Sequence, residues 1–343
     1  MKAIRLHAID DLRVEEVPVP EIAAGEVLVR VGAALICGTD IRMWRNGAKV
    51  TPVVLGHETA GTIAEVGRDV RHYKAGMRVA VAPNWGCGIC DACVAGRGQD
   101  CASLRAMGIH VDGGFAEYLR VPAAAVAQGN ISSIEGSVSF AAAALAEPFS
   151  CVYNSFERAA LKPGDSVVVI GAGPIGLLHA KLYRLAGAGL VAMIDVNADR
   201  LAACVRDDPS IVAIPSEGAK ERLMELTGGS GADIVVAAAS NAAVQQLAFG
   251  LAALHGRVIF FGGLPAGKEI VALDTNVIHY RQIFVTGTSR QSLSQYRRCL
   301  ALISKGLMKV DGLLTHSWKL DEAGAAFAAS ARGEGLKTGF VME

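Results

Sequence analysis

The stretch SVVVIGAGPIGLLHAKLYRLAGA, residues 166 to 188, decides half of the fold. Its first five, mostly apolar residues read as a buried strand, GAGPIG as a tight loop, and LLHAKLYRLAGA as a helix closed by Gly187 and Gly189. Gly171, Gly173 and Gly176, with Pro174 and Ile175 among them, therefore join a strand to a helix. Backbone there can turn tightly and approach a pyrophosphate, while the helix N-terminus offers its positive end. Glycine motifs of this kind are common, and a dinucleotide site also requires an acidic residue at the close of the next strand, about 20 residues on. Asp195 ends LVAMID nineteen residues past Gly176. Its carboxylate would accept from ribose hydroxyls and repel a 2′-phosphate, so NAD is expected over NADP, with Arg200 the one nearby cation that would soften the preference.

Beyond this unit, apolar runs at IVAI (211 to 214), DIVVAAA (233 to 239), RVIFFGG (257 to 263) and IFVTG (283 to 287) are spaced by helical stretches. That alternation predicts a doubly wound parallel sheet. Upstream the period differs. KAIRLH, LRVEEV, EVLVRVGAAL, ETAGTIAEVG and MRVAVAP read as short strands broken by Gly, Pro and charged turns, which predicts an antiparallel, barrel-like region up to about residue 145. The last fifty or so residues return to a mixed pattern, with a helix around 292 to 305 and a final strand near 337 to 342. A chain of 343 residues with 52% hydrophobic residues has enough apolar material for two cores.

Four of the eight cysteines, Cys87, Cys90, Cys93 and Cys101, fall in CGICDACVAGRGQDC with gaps of two, two and seven residues. Thiolates are soft, compact ligands, and such gaps let the chain turn around one tetrahedral ion, so the pattern reads as a closed structural zinc site rather than a disulfide pair or unrelated thiols. Nucleic acid is a poor candidate partner. Lys+Arg and Asp+Glu are 33 each, no basic run exists, and the cysteine lobe sets a single Arg97 against Asp91 and Asp100, which argues against a zinc ribbon that grips DNA. Apolar stretches such as FAAAALA (140 to 146) are too short to span a bilayer. Lys2, Arg5 and Asp10 leave no secretory apolar core behind Met1, and a cytoplasmic location is expected.

Further motifs carry a family resemblance. GHETAGTIAEVGRDV (56 to 70), with Gly61 four residues after His57 and Gly67 and Val70 beyond it, joins ICGTD (36 to 40), DGGFAEY (112 to 118), AEPFS (146 to 150) and the cysteine lobe in one order. In these the chain resembles the zinc-dependent medium-chain alcohol dehydrogenases of the sorbitol, galactitol and threonine dehydrogenase branch, over essentially its whole length. The resemblance implies a GroES-like antiparallel β-barrel catalytic domain from residues 1–147 and 291–343, and a Rossmann NAD-binding domain from residues 148–290. It also implies two zinc ions per chain, one structural and one catalytic, and a homotetramer or homodimer.

By that resemblance Cys37 and His57 are ligands of the catalytic zinc, and a carboxylate completes the set. Glu58 is expected in the resting set and Glu147 as an exchanging ligand or as acceptor for the bound water. Cys151, four residues past Glu147, reads as core like Cys204 and Cys299. Thr39 matches the hydroxyl that bonds the reacting oxygen and begins the proton's exit. One departure stands out: family members often carry a relay histidine five residues after the zinc cysteine, and Arg42 is there instead. Met43, Trp44 and Phe115 are expected to wall the pocket, and the remaining histidines read as structural. The activity implied is oxidation of a secondary hydroxyl of a polyol, sugar alcohol or small diol to the ketone, the alternative being a simple secondary alcohol or a threonine-type amino alcohol.

Overall fold

VLVRVGAAL, residues 27 to 35, is apolar at nearly every position, and in the computed structural model, which describes Met1–Met342, it forms a nine-residue strand buried at all but Arg30. A strand without a wet face needs cover on both sides and partners at both edges. Val27–Leu35 has them: Glu58–Val66 pairs along one edge, and Tyr118–Val121 and Lys337–Val341 share the other, all antiparallel. The sheet runs in the spatial order Ile131–Ser133, Arg78–Val81, Glu58–Val66, Val27–Leu35, Lys337–Val341, Leu314–Trp318. Its last pair is parallel, so the expected antiparallel region carries one parallel edge, formed by a strand the sequence reading did not single out. Phe115, Phe327 and Phe340 fill the core beside it, with ring centroids 5.9 and 5.1 Å from Phe115 in edge-to-face packing.

This region is one of two compact units, Met1–Ser150 with Gln291–Glu343; the other is Cys151–Arg290. The first boundary falls inside the helix Ala146–Ala159. The second unit holds six strands, all parallel, in the order Val212–Pro215, Leu190–Asp195, Ser166–Ile170, Ala232–Ala237, Ala252–Phe260, Phe284–Gly287. Numbered along the chain this is 3-2-1-4-5-6, the doubly wound arrangement that the alternating pattern predicts. Val167, Val168 and Val169 are wholly enclosed, and each such side chain contributes about 1.5–3 kcal/mol through burial. Among the described residues no helix is long and apolar enough to cross a membrane.

His179 lies on the helix Pro174–Leu185 with no solvent exposure. Its Nδ1 donates to the Ile175 carbonyl at 2.9 Å, its ring stacks on Tyr183, and the edge of Phe261 meets it at 4.9 Å. Burial pushes its pKa down to about 4. The unfolded chain titrates near the ordinary value of about 6.5, so between those pH values the unfolded state binds more protons than the native one. The contribution is complete above about pH 6.5 and is lost as pH falls toward 4, up to about 3 kcal/mol. The melting temperature is therefore expected to drop between pH 7 and pH 4.5, and to drop measurably less in His179→Phe; equal slopes in a thermal-melt series would refute the assignment.

Candidate metal and cofactor sites

The β-ladder assembles the first site. Leu35 pairs with Glu58, so Cys37, two residues past one strand, and His57, just before the other, emerge side by side. On the opposite edge Gly339 pairs with Leu35, and Ile36 N donates to the Thr338 carbonyl, a register that sets Lys337 beside Cys37. One ligand atom each from Cys37, His57 and Glu58 lies within 4.8 Å of the others.

Buried charge surrounds this trio. Lys337 Nζ donates to Glu58 Oε1 at 2.6 Å, with the two side chains 6% and 0% exposed. Glu58 Oε2 is equally buried and has no hydrogen-bond partner. Asp40, also wholly enclosed, accepts from Cys37 N at 2.8 Å and stands 3.4 Å from His57 Nδ1, at ion-pair distance and outside hydrogen-bond geometry. It lies in the first turn of the helix Gly38–Asn46, which starts directly after Cys37.

The titrations follow from this crowding. Burial drives His57 toward neutrality, yet Asp40 and Cys37 outweigh it and hold the imidazole well above its ordinary value. Glu58 is raised to about 7 by burial and by Glu147, against the pull of Lys337 and His57. Burial also works against the Lys337 ammonium, but Glu58 and Cys37 prevail and raise it. A buried orphan carboxylate oxygen beside a thiol and an oriented imidazole is a donor set that fits a zinc ion.

Glu147 stands outside the trio but close to it. Burial raises its pKa, and His57 and Lys337 both pull on its charge. Its Oε1 accepts from Gln291 Nε2 at 3.0 Å. Thr39 Oγ1 accepts from Arg42 Nη2 at 2.8 Å. Met43 is buried against the core, and Trp44 packs on Phe327 at 5.6 Å. Phe115 corrects an expectation: its ring has no exposure and is enclosed by Phe327 and Phe340, so it supports the core rather than facing a substrate.

Sequence reading missed Asp40, Lys337 and Gln291. Asp40 was visible within ICGTD, three residues past Cys37, at the spacing from which a side chain reaches back to the N-cap. Lys337 lies 279 residues from Glu58, and nothing local marks it.

The four-cysteine lobe is built almost entirely from neighbouring residues. Cys90 begins the short helix Asp91–Val94, a 3₁₀ turn follows at Gly98–Asp100, and Cys87 N donates to Cys101 Sγ at 3.3 Å. All four cysteines are free of disulfides, and their sulfurs lie within 4.8 Å of one another. Backbone N–H groups of Ile89 and Cys90 hold Cys87 down to about 6. The Gly88 N–H favours the Cys93 thiolate too, but desolvation and the neighbouring sulfurs push that thiol up to about 11. Four thiols this close oppose one another's ionisation, and a dication removes the conflict.

In the second unit the glycine loop follows Ser166–Ile170 and opens the helix Pro174–Leu185. A Cβ at Gly176 would stand 1.8 Å from the Gly171 carbonyl oxygen, so helix and loop close only over glycine. At Gly173, by contrast, a Cβ would meet nothing within 4 Å and φ is −81°. Nothing within the protein demands glycine there, which fits a ligand lying against that backbone. Asp195 Oδ2 accepts from Ala172 N at 2.6 Å and Oδ1 from Asn197 N at 2.8 Å, tying the end of its strand to the loop. Arg200 enters the next helix, Ala198–Asp207, with its N–H capped by Asn197 Oδ1 at 3.0 Å.

Comparisons with known proteins bear on the chain's family. Residues 23–131 match the family described as alcohol dehydrogenase GroES-like domain, and residues 174–305 that described as zinc-binding dehydrogenase. The chain is 32% identical to sorbitol dehydrogenase of Bacillus subtilis over 329 residues, 94% of this chain and 91% of that one. It is 31% identical to L-threonine 3-dehydrogenase of Bacillus velezensis, over 93% and 92% of the two chains. A zinc-binding dehydrogenase from Sinorhizobium meliloti, solved bound to NADP, superposes with a TM-score of 0.91 at 31% identity, covering 99% of each chain.

Replacing Cys93 with Ser is expected to halve bound zinc, from two ions per chain to one, and to lower the melting temperature, since a closed four-thiolate site contributes folding energy outright. Elemental analysis with a thermal melt checks it. Two ions retained in the variant would count decisively against the lobe as a zinc site.

Proposed function

The chain belongs to the zinc-binding medium-chain dehydrogenases, oxidoreductases acting on alcohols, and from that premise we propose that it oxidises a secondary hydroxyl of a polyol, sugar alcohol or small diol to the ketone, with NAD accepting the hydride. The observation that carries this reading is the convergence of Cys37, His57 and Glu58 around a buried, unpartnered carboxylate oxygen. Those three residues would hold the catalytic zinc, with Glu147 at hand, and Cys87, Cys90, Cys93 and Cys101 would hold the structural one. When bound, the catalytic ion supplies Lewis acidity that lowers the pKa of an alcohol, and the nicotinamide supplies the hydride acceptor.

The rest falls to the protein's own groups. Asp40 orients His57, and Lys337 holds one oxygen of Glu58 so that the other points free. Thr39 is the hydroxyl suited to receive the substrate's proton. Arg42 donates to that hydroxyl and has no acceptor lone pair, so the proton cannot pass through it and must leave by water or by Glu147. The balance is one alcohol and one NAD⁺ consumed for one ketone, one NADH and one proton, and higher pH favours oxidation. From the family we carry over a homotetramer or homodimer in the cytoplasm.

For the cofactor, the support for NAD is Asp195 at the end of its strand, where a carboxylate repels a 2′-phosphate; the NADP found in the Sinorhizobium relative makes the choice worth testing. Asp195→Ala should narrow the ratio of kcat/KM for NAD over NADP by about tenfold, about 1.4 kcal/mol, mostly through binding. A wild type that already prefers NADP would overturn the assignment.

A second hydroxyl on the substrate has polar groups to meet in Arg42 and Glu147, and a site built to hydrogen-bond a hydroxyl discriminates strongly against analogues that lack it. Oxidation of 2,3-butanediol, erythritol, sorbitol or galactitol is therefore expected to exceed that of 2-butanol by about a hundredfold or more in kcat/KM. NADH absorbance over this panel, with threonine included and at several pH values, makes the comparison. Preference for 2-butanol or threonine would sink the polyol reading and leave the zinc and NAD assignments standing.

A further inference from the structure

The helix Gly38–Asn46 divides its charged groups between two faces. Asp40 and Met43 are buried, and Asp40 is held by Cys37 N beside the His57 ring. Thr39 is half-buried, and Arg42, three residues on and therefore on the same face, is exposed. Side chains on a helix lean toward its N-terminus. The Arg42 guanidinium accordingly lies back over the first turn: Nη2 donates to Thr39 Oγ1 at 2.8 Å, and Nη1 stands 3.7 Å from where a Cβ on Gly38 would be. Glycine at position 38 puts no side chain between this cation and the turn that follows Cys37.

Charge pairing singles this arginine out. Arg45, three residues further, closes on Asp10 at 2.6 Å and lies over the Trp44 ring. Of the buried acids nearby, Glu58 accepts from Lys337, Asp40 from Cys37 N and Glu147 from the Gln291 amide. Arg42 has no acidic partner among the described residues, and its bond to Thr39 uses one of the five N–H donors of a guanidinium. A planar fork with donors to spare, beside the hydroxyl suited to the reacting oxygen, matches a carboxylate or phosphate through two parallel bonds.

Resting on the polyol reading above, we propose that Arg42 is a specificity-determining residue and that the preferred substrates are polyols bearing an anionic group, a carboxylate or a phosphate, which the guanidinium binds while a hydroxyl of the same molecule reacts. A neutral hydroxyl also accepts from Arg42, but a charged acceptor makes a bond roughly twice as strong. The acidic groups behind Thr39 do not turn such a substrate away, because the dication that Cys37, His57 and Glu58 would hold offsets them. Arg42 is exposed, so salt screens the attraction and the preference falls as ionic strength rises.

The test compares sorbitol with gluconate and sorbitol 6-phosphate, and erythritol with erythronate and erythritol 4-phosphate, on the zinc-loaded full-length enzyme. At least one anionic class should exceed the neutral polyol of its length by about tenfold or more in kcat/KM, mostly through KM, and the advantage should shrink between about 20 and 300 mM salt. Which of the two classes leads identifies the group that Arg42 takes. Calorimetry on the complex with NADH, which cannot accept a hydride, should give the same order in Kd without turnover. Arg42→Met should abolish the preference and Arg42→Lys keep part of it, with NADH affinity unchanged in both. Neutral polyols level with or ahead of both anionic classes, a preference that survives Arg42→Met, or a loss in that variant confined to NADH affinity each overturns the proposal. Failure of the underlying reading looks different: 2-butanol would then outrun every polyol, charged or neutral, and both would fall.

Discussion

The buried pair of Lys337 and Glu58 is the interaction around which the first unit is organised. Each ion leaves water at a cost of several kcal/mol; the 2.6 Å contact offsets it for both, while Glu147 favours the ammonium and opposes the carboxylate. Removing one partner of such a pair typically costs about 3–5 kcal/mol, because the other is left charged and buried. An apolar pair would serve stability as well. What an apolar pair could not do is hold Glu58 with one oxygen engaged and the other unpartnered beside Cys37 and His57. The pair also ties the strand Lys337–Val341 to the strand Glu58–Val66 across the end of Val27–Leu35, where the ladder delivers Cys37.

Around that pair, negative charge is in excess. Asp40, Glu58 and Glu147 are buried together with the Cys37 thiol close by, and Lys337 and His57 are the cations that answer them. The raised pKa values of Glu58 and Glu147 express the imbalance, with burial as their first cause. Binding a dication there relieves the same strain that a proton would, so metal affinity and the protonation of these groups are coupled. In the second unit the constraint is steric: apolar strands that need cover on both faces, and a turn whose Gly176 admits no side chain.

Much of this was legible along the chain because the physics is local. Strand SVVVI, its glycine loop and Asp195 obey rules of spacing, as do four cysteines that turn around one point within fifteen positions. The six parallel strands appear where the apolar runs predict, within a few residues, because buried parallel strands cannot disguise their composition. Cys37, His57 and Glu58 were also named from the sequence, although what identified them was a likeness between motifs and not a physical argument from their spacing. Phe115 shows where local reading fails: adjacency to a site motif says nothing about which way a ring faces, and three aromatic rings packing together decided it.

What the sequence by itself determined, then, is the order of two kinds of unit, the cysteine lobe and the dinucleotide loop, since each depends on contacts between residues near in sequence. Tertiary structure decided the environment of the buried carboxylates Glu58 and Glu147. Lys337 and Gln291 carry no local signature, and they reach Glu58 and Glu147 only because the chain returns to its first unit after residue 290 and adds a strand in one particular register. Long-range pairing of this sort depends on the whole apolar surface closing at once, and no window of sequence contains it.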